Sequence, residues 1–292
     1  MTERNGVLPV DKPEGPTSHD VVAQARRGLG TRRVGHTGTL DPFASGLLLI
    51  CVGGATRLSE YLTALRKRYV ATMRLGVATD TDDLTGTPIF ESDAWQSLTD
   101  DAVRAALEAQ VGERLQLPPR YSAKKVAGER LYASARRGEE VERTPVPVTI
   151  HSIRVLRIEL PEVEFEVECG SGTYIRAIAR DAGESLGVGG SLTRLRRTSV
   201  GDFDVEQAVA LDQLGDASAV DAAILSPARA VAHLAHIEAD EAGVRALGYG
   251  QGIPATGDLP VGAPIAILSG PDQLVAIGER VGDRIQPRKV LA

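Results

Sequence analysis

An unbroken apolar run, Gly46 to Val52, follows closely on the turn-rich octapeptide Gly35-His36-Thr37-Gly38-Thr39-Leu40-Asp41-Pro42. The run can anchor that octapeptide in a core, which would hold its glycines, hydroxyls, imidazole and one carboxylate at a fixed place. A lone aspartate, with no second carboxylate, metal cluster or catalytic histidine pair in the motif, suits a nucleophile better than an acid/base dyad. Gly/Thr/Asp turns are common, and most are only turns. The octapeptide stands out because four further segments point to the same chemistry.

At 292 residues the chain can bury a substantial core and divide into a large and a small domain. Its 42% hydrophobic and 25% charged residues are ordinary for a soluble globular protein. Cys51 and Cys169 lie far apart in apolar surroundings, which favours buried free thiols in a reducing compartment over a disulfide. Met1 to Pro16 is polar and lacks the apolar stretch of a signal peptide, and the longest apolar run is too short to span a bilayer. The expected location is cytoplasmic.

The net charge of −6 argues against a nucleic-acid partner until its distribution is considered. Residues 1–72 carry 10 Lys/Arg against 6 Asp/Glu, and residues 121–143 carry 6 against 4. The acidic excess sits in residues 73–120 and 201–292, with 4 against 9 and 6 against 13. A polyanion responds to the local patch rather than to the total. Ordinary solvated charge would give similar counts, so the motifs must decide.

Thr17-Ser18-His19-Asp20 reads as a capping box opening a helix to about Leu29. A second helical stretch is expected over residues 55–67, with Leu58, Tyr61, Leu62 and Leu65 on one face. Residues 69–77 read as a strand and 97–111 as a capped helix. Val163, Phe165, Val167 and Cys169 alternate with glutamates, as in a half-exposed antiparallel strand. Gly170-Ser171-Gly172 then turns the chain into a helix over about 174–186. After about Asp202, Ala/Asp/Leu-rich helical sequence runs to Leu234 with a break at Pro227. From about His236 a compact unit is expected, with a short helix near 240–247 and strands at 264–268, 274–277 and 284–290. Antiparallel strands with helices outside make the class α+β.

Several chemistries are excluded by their motifs. Gly170 to Ile175 lacks the third glycine of a dinucleotide fingerprint, and no Gly-Lys-Ser/Thr phosphate loop occurs. Asp80-Thr81-Asp82-Asp83 starts like a calcium loop but continues with Leu84 and Thr85. His233 and His236 share a helical spacing without further ligands, so no metal is expected. By contrast, Arg120-Tyr121-Ser122-Ala123-Lys124-Lys125, continuing to Arg130, Tyr132, Arg136 and Arg137, interleaves cations with aromatics. That pattern supplies phosphate contacts and flat faces for unpaired bases; an exposed amphipathic helix is the plainer alternative. In Gly172-Thr173-Tyr174-Ile175-Arg176 a buried arginine would need an anion, either Asp41 or a local partner, Asp181 or Glu184. Leu192 to Arg197 sets leucines beside arginines, as core with a solvated face or as another backbone contact.

Together these segments resemble the bacterial TruB family of tRNA pseudouridine-55 synthases. The resemblance runs through Asp11-Lys12-Pro13 with Gly15, Thr17 and Ser18, then Gly35 to Pro42 on to Leu48. It continues with Tyr69 and the Leu75-Gly76 to Thr81 stretch, Pro118-Pro119 to Lys124, Gly172 to Arg176 and Leu195-Arg196-Arg197, in the family's order over residues 11–197. Ser171 departs from it, since many relatives carry lysine there; the departure bears on one phosphate contact and not on the chemistry. The resemblance implies a central, largely antiparallel mixed sheet flanked by helices, in a catalytic domain spanning 1–235 with an RNA-binding arm at about 118–145. It implies a small β-rich PUA-type RNA-binding domain at 236–292. The implied reaction converts uridine to pseudouridine in the T loop of tRNA, by breaking the C1′–N1 bond, turning the base and rejoining it through C5. Such an enzyme must first flip the base from its stack.

By the same match Asp41 is the nucleophile, Arg176 its ionic partner, and Tyr69 the residue that stacks on the flipped base. His36 packs into the T loop, and Tyr174 and Leu195 contact substrate. Lys12 is grouped with the substrate-side residues, although the motif it shares with Pro13 buttresses the loop. Arg136 and Arg137 belong to the arm. No cofactor, metal, guide RNA or obligate protein partner is implied, and a monomer is the default. A binding-only RNA chaperone of the same fold, a guide-RNA-dependent synthase and a small-molecule enzyme using the same turn are the rival readings, the last disfavoured by the missing cofactor motifs. Binding of tRNA should weaken steeply with salt despite a sequence pI of about 5.5. Replacing Arg136 or Arg137 with Gln should lower the log–log salt slope by about 0.7 to 0.9 for each phosphate no longer neutralised. Dissociation constants across a salt series test this, and an unchanged slope would put the arm off the RNA.

Overall fold

The apolar run becomes a strand buried on both faces. The computed structural model describes residues 4–120, 125–126, 129–130 and 143–291. Its strands are, first, β1 (Gly6–Lys12), β2 (Val34–His36), β3 (Ser45–Val52), β4 (Lys67–Leu75), β5 (Val77–Thr79), β6 (Pro88–Glu91) and β7 (Gly112–Gln116). Then come β8 (Lys125–Val126), β9 (Glu129–Arg130), β10 (Val146–Glu159), β11 (Glu162–Cys169), β12 (Gly190–Val200), β13 (Phe203–Asp204) and β14 (Val209–Ala210). A ten-stranded sheet runs β14-β1-β3-β12-β4-β11-β10-β7, with β2 beside β3 and β13 beside β12. The β1–β14 and β3–β12 pairs are parallel, whereas β12–β4, β4–β11 and β11–β10 are antiparallel. The class is therefore the expected α+β, with a largely antiparallel mixed sheet.

Burial on both faces explains why β3 reads as continuous rather than alternating hydrophobicity. Leu47, Leu49 and Cys51 point into one apolar cluster with Leu58 and Leu62. Leu48, Ile50 and Val52 point into another, with Val21, Val22 and Ala25 of the helix Ser18–Leu29. That helix begins with the capping box seen in the sequence: Asp20 N–H donates to Thr17 Oγ1 (3.1 Å) and Thr17 N–H to Asp20 Oδ2 (2.8 Å). In β11, Val163, Phe165, Val167 and Cys169 enter a third cluster against the helix Ile175–Ser185. Both cysteines are free and buried, and burial pushes the Cys51 and Cys169 thiols up to about 12 and about 11.

Two expectations need correction. The helix expected over 55–67 is a 3₁₀ turn, Gly53–Leu58, and a short helix, Ser59–Thr63, while Lys67 already belongs to β4. Lys67 Nζ donates to the carbonyls of Thr63 and Leu65, which stops the helix and starts the strand. The helical run expected after Asp202 is likewise interrupted, because β13 and β14 are drawn onto β12 and β1. The 3₁₀ turns Val205–Gln207 and Leu211–Gly215 and the short α-helices Ala217–Ala223 and Pro227–Ala230 remain of it, the last opening on Pro227 with Ser226 as its cap. No helix among the described residues is long and apolar enough to cross a membrane.

The remaining strands are β15 (Ala235–Glu238), β16 (Ile253–Pro254), β17 (Pro264–Leu268), β18 (Leu274–Val281) and β19 (Arg284–Val290). They form a second sheet in the order β15-β17-β18-β19-β16, and the helix Glu241–Gly248 accompanies them. Its three long strands lie where expected, β18 running on past 277 to Val281; β15 and β16 are additions. Ala266, Leu274 and Ile277 of this sheet share the cluster of Leu47, Leu49 and Cys51, so the two sheets have a common core. Polar contacts reinforce it, with Lys289 Nζ donating to Arg57 O (2.7 Å) and facing the Tyr61 ring at 5.5 Å. Ile277→Ala should therefore destabilise both sheets by about 2–4 kcal/mol. Urea unfolding followed by Trp95 fluorescence, which reports on the large sheet, tests this; an unshifted midpoint would show that the sheets unfold independently.

Candidate active site

β2 and β3 pair antiparallel with His36 opposite Ile50, so residues 37–44 must close a compact loop between them. Its fastenings come from elements far apart in sequence. Ser18 Oγ donates to Leu40 O (3.0 Å) and accepts from Leu40 N–H (2.9 Å). Gly15 N–H donates to Pro42 O at 2.8 Å. Lys12 is fully buried, and its ammonium donates to Ala44 O (2.6 Å) and Pro13 O (2.8 Å). Burial pulls that ammonium down to about 8, against the opposing charge of Asp41. Lys12 thus braces the loop from beneath and is not available to touch a substrate.

Arg197 braces the loop from the β12 side. Its Nε donates to Leu47 O (2.6 Å) and its Nη2 to Gly38 O (3.2 Å), and it is buried. β12 passes so close that a Cβ at Gly46 would lie 2.2 Å from Arg197 O, and Gly46 also has φ +103°. Only glycine satisfies both demands. The loop therefore delivers Asp41 with little freedom.

Arg176 opens the helix Ile175–Ser185 and lies against Asp41. Its Nε is 3.1 Å from Asp41 Oδ2, and its Nη1 donates to Asp83 Oδ2 (3.0 Å) and Thr81 O (2.9 Å). Of the anions considered for this arginine, Asp41 is the partner found; Asp83 joins it without any motif to single it out. Asp83 is itself held by Thr81 Oγ1 (2.8 Å) and Thr85 N–H (2.9 Å). The acidic turn that fails as a calcium loop thus serves as a cradle for arginine. Asp41 keeps 36% of its side chain exposed, while Arg176 and Asp83 keep 6% and 4%. Burial raises the Asp41 carboxyl above its ordinary range; Arg176 opposes this, Asp83 adds to it and Lys12 opposes it weakly.

A cavity of about 230 Å³ opens over this pair, lined by Asp41, Lys67, Tyr69, Tyr174, Arg176 and Leu195, with Arg197 and the 170–173 turn completing the wall. Tyr69 is buried, and its phenol is raised by burial against the opposing pull of Arg197. The Lys67 ammonium is lowered by burial to about 8. Tyr174 is held by its backbone: its N–H donates to Gln116 Oε1 (2.8 Å), and Gln116 Nε2 donates to its carbonyl (3.1 Å). Leu195 is 7% exposed in the wall. His36 lies apart from the cavity, on β2, edge-on to His19 at 5.5 Å. Arg136 and Arg137 lie outside the described residues. The space suits one flat heterocycle rather than a large cofactor, and the described residues contain no cluster of His, Cys, Asp or Glu able to hold a metal.

Residues 26–175 match the model of the TruB family pseudouridylate synthase N-terminal domain, and residues 176–231 that of the tRNA pseudouridylate synthase B C-terminal domain. The chain belongs to the TruB family. It is accordingly a pseudouridine synthase, an isomerase. Its sequence is 45% identical over 303 residues to tRNA pseudouridine synthase B of Arthrobacter sp. (strain FB24), covering 99% of this chain and 97% of that protein. It is 44% identical to tRNA pseudouridine synthase B of Thermobifida fusca (strain YX), covering 99% of each. Its fold is similar to a chain of a Cbf5-Nop10-Gar1 complex, with TM-score 0.78 and 30% identity over 98% of this chain and 85% of that one. A chain of an H/ACA RNP bound to a substrate RNA containing 2′-deoxyuridine gives TM-score 0.77 at 28% identity, with the same coverages.

In this TruB chain the glycine-rich turn is thus one corner of an ion-pair network, and Asp83, Gln116, Lys67 and Arg197 complete the site. Arg197 lies in the motif Leu195-Arg196-Arg197 and Asp83 in the acidic turn whose sequence starts like a calcium loop; Lys67 and Gln116 lack any local signal. Asp41 is ionised more reluctantly in the fold than in the unfolded chain, so its charge costs stability at neutral pH. That cost is relieved as pH falls through the raised value towards the unfolded one. Asp83→Asn removes a neighbouring negative charge and should move the Asp41 titration to lower pH. Carbon-13 NMR of the Asp41 carboxyl measures this, and a midpoint that stays or rises would contradict the network.

Proposed function

We propose that this protein converts uridine 55 in the T loop of tRNA to pseudouridine, with Asp41 as nucleophile towards the flipped nucleotide. The observation that carries this reading is the half-exposed Asp41 carboxylate, held by buried Arg176 at the floor of a one-base cavity. In the reaction the C1′–N1 bond breaks, the uracil turns, C5 bonds to C1′, and the C5 proton leaves as N1 gains one. Atoms and electrons balance without a cofactor or co-reactant. Arg176 orients the carboxylate, and Tyr69 stacks on the extruded base. Tyr174 and Leu195 shape the wall, and His36, outside the cavity, packs into the T loop vacated by flipping. Extrusion costs a few kcal/mol, offset by contacts to the flipped nucleotide and backbone.

We assign residues 1–235 to catalysis and 236–292 to a PUA-type RNA-binding unit, with the arm at about 118–145, including Arg136 and Arg137, gripping the T arm. The enzyme acts in the cytoplasm as a monomer, without guide RNA or a protein partner; buried free thiols support a reducing compartment. Contacts that hold the RNA do not require turnover, so the same surface can assist tRNA folding. Asp41→Asn removes nucleophilicity with little change of shape. It should abolish pseudouridine formation by the pure protein on a tRNA transcript while RNA binding persists. Mapping of modified uridines measures the product, and multiple turnover by the variant would refute the assignment.

A further inference from the structure

Asp82 and Asp83 are consecutive, buried, and aimed at two different arginines. Asp82 is the one non-glycine residue among the described residues with a positive φ, 61°. Such a conformation is unusual outside Gly, Asn and Asp and persists where the surroundings enforce it. Here the turn is locked to β12, since Leu192 N–H donates to Asp82 O (3.0 Å) and Leu84 N–H to Leu192 O (2.9 Å). Locked in this way, the turn sends Asp83 to Arg176 and Asp82 to Arg180 Nη1 at 2.8 Å. Arg176 and Arg180 are four residues apart on the helix Ile175–Ser185, so both project from one face.

Arg180 also reaches the base of the arm. Its Nη2 donates to Leu117 O (3.0 Å), and Nε and Nη2 both donate to Asp181 Oδ1 (2.9 and 2.7 Å). On the returning side, Arg143 Nη1 donates to Pro118 O (3.0 Å), tying the two ends of the segment together. Gln116, paired with Val146 across β7 and β10, is the residue that fixes the Tyr174 backbone. Both chain ends that enter the basic segment are thus tied to the helix that carries Arg176.

We propose that Asp82 and Arg180 are positioning residues that register the base of the basic arm against the Asp41–Arg176 pair, so that RNA gripped by the arm presents its nucleotide at the reactive carboxylate. Neither residue lines the cavity, and both act through others. The proposal rests on the reading of the protein as a tRNA pseudouridine synthase. It goes beyond that reading by assigning the link between RNA docking and the reacting centre to one ion pair.

The test uses Asp82→Asn, which tolerates the positive φ while losing the charge, and Arg180→Gln. Single-turnover pseudouridine formation at saturating tRNA should fall roughly ten- to a hundredfold, the scale of a small misplacement. The dissociation constant should stay within about twofold, the pattern of an interaction that matters for the reaction rather than for binding. Amide exchange adds a readout independent of turnover. In the unaltered protein, binding of a T-arm stem-loop should slow exchange across 175–185 as well as in 118–143; in both variants the slowing should be confined to 118–143. Unchanged rates with helix protection retained would overturn the proposal, as would absence of helix protection in the unaltered protein. Should Arg180→Gln fail to fold by thermal unfolding, Asp82→Asn carries the test alone. An unaltered protein that forms no pseudouridine would refute the functional reading, and the exchange comparison would still decide the link.

Discussion

The site depends on one buried guanidinium. Arg176 keeps only 6% of its side chain exposed and cannot remain charged there without anions and carbonyls around it. Those partners come from separate parts of the chain: Asp41 from the β2–β3 loop, Asp83 and the Thr81 carbonyl from the turn after β5. The cation therefore joins a loop, a turn and a helix at one point, beside the second link that Asp82 and Arg180 make between the turn and the helix. Removing it would leave the buried Asp83 carboxylate without its counter-charge, so the pair is a constraint on the fold as well as on the chemistry.

The second constraint is β3, whose two buried faces divide the molecule's core. One face is covered by the first helix and the other by the second sheet, with Ala266, Leu274 and Ile277 packed against Leu47 and Leu49. The loop carrying Asp41 runs directly into this strand, with Arg197 reaching across to the Leu47 carbonyl. A unit that looks separate in sequence thus shares apolar contacts with the strand that anchors the Asp41 loop. Removing that unit would expose apolar surface under the site, an effect distinct from any weakening of RNA binding.

Local signals in the sequence were reliable where the cause is local. The Thr17–Asp20 capping box, the β11 alternation and the three long strands of the second sheet all depend on neighbours in the chain, and all are present. Helix expectations failed at 55–67 and after 202, where a buried lysine and two sheet pairings outweighed apolar periodicity. The Asp41–Arg176 pair could be anticipated because a buried arginine demands an anion, though Asp181 and Glu184 were equally admissible on that ground. The roles of Asp83 and Gln116 could not be read. Their partners, Arg176 and Tyr174, lie 93 and 58 residues away, and nothing in the flanking sequence points to those partners.

The sharing of Arg176 bears on the role proposed for Asp41. One cation between two carboxylates leaves a net negative charge, and Asp83, the more deeply buried and more fully hydrogen-bonded, has the stronger claim on the arginine. Asp41 meets the arginine at Nε and keeps about a third of its side chain open to the cavity. A carboxylate in a tight, exclusive pair would be stabilised as the anion and correspondingly less willing to share its electrons. Here burial and the second carboxylate push the Asp41 carboxyl up while the arginine fixes its direction. The network thus orients the anion without fully neutralising it, which suits the nucleophilic role proposed for Asp41.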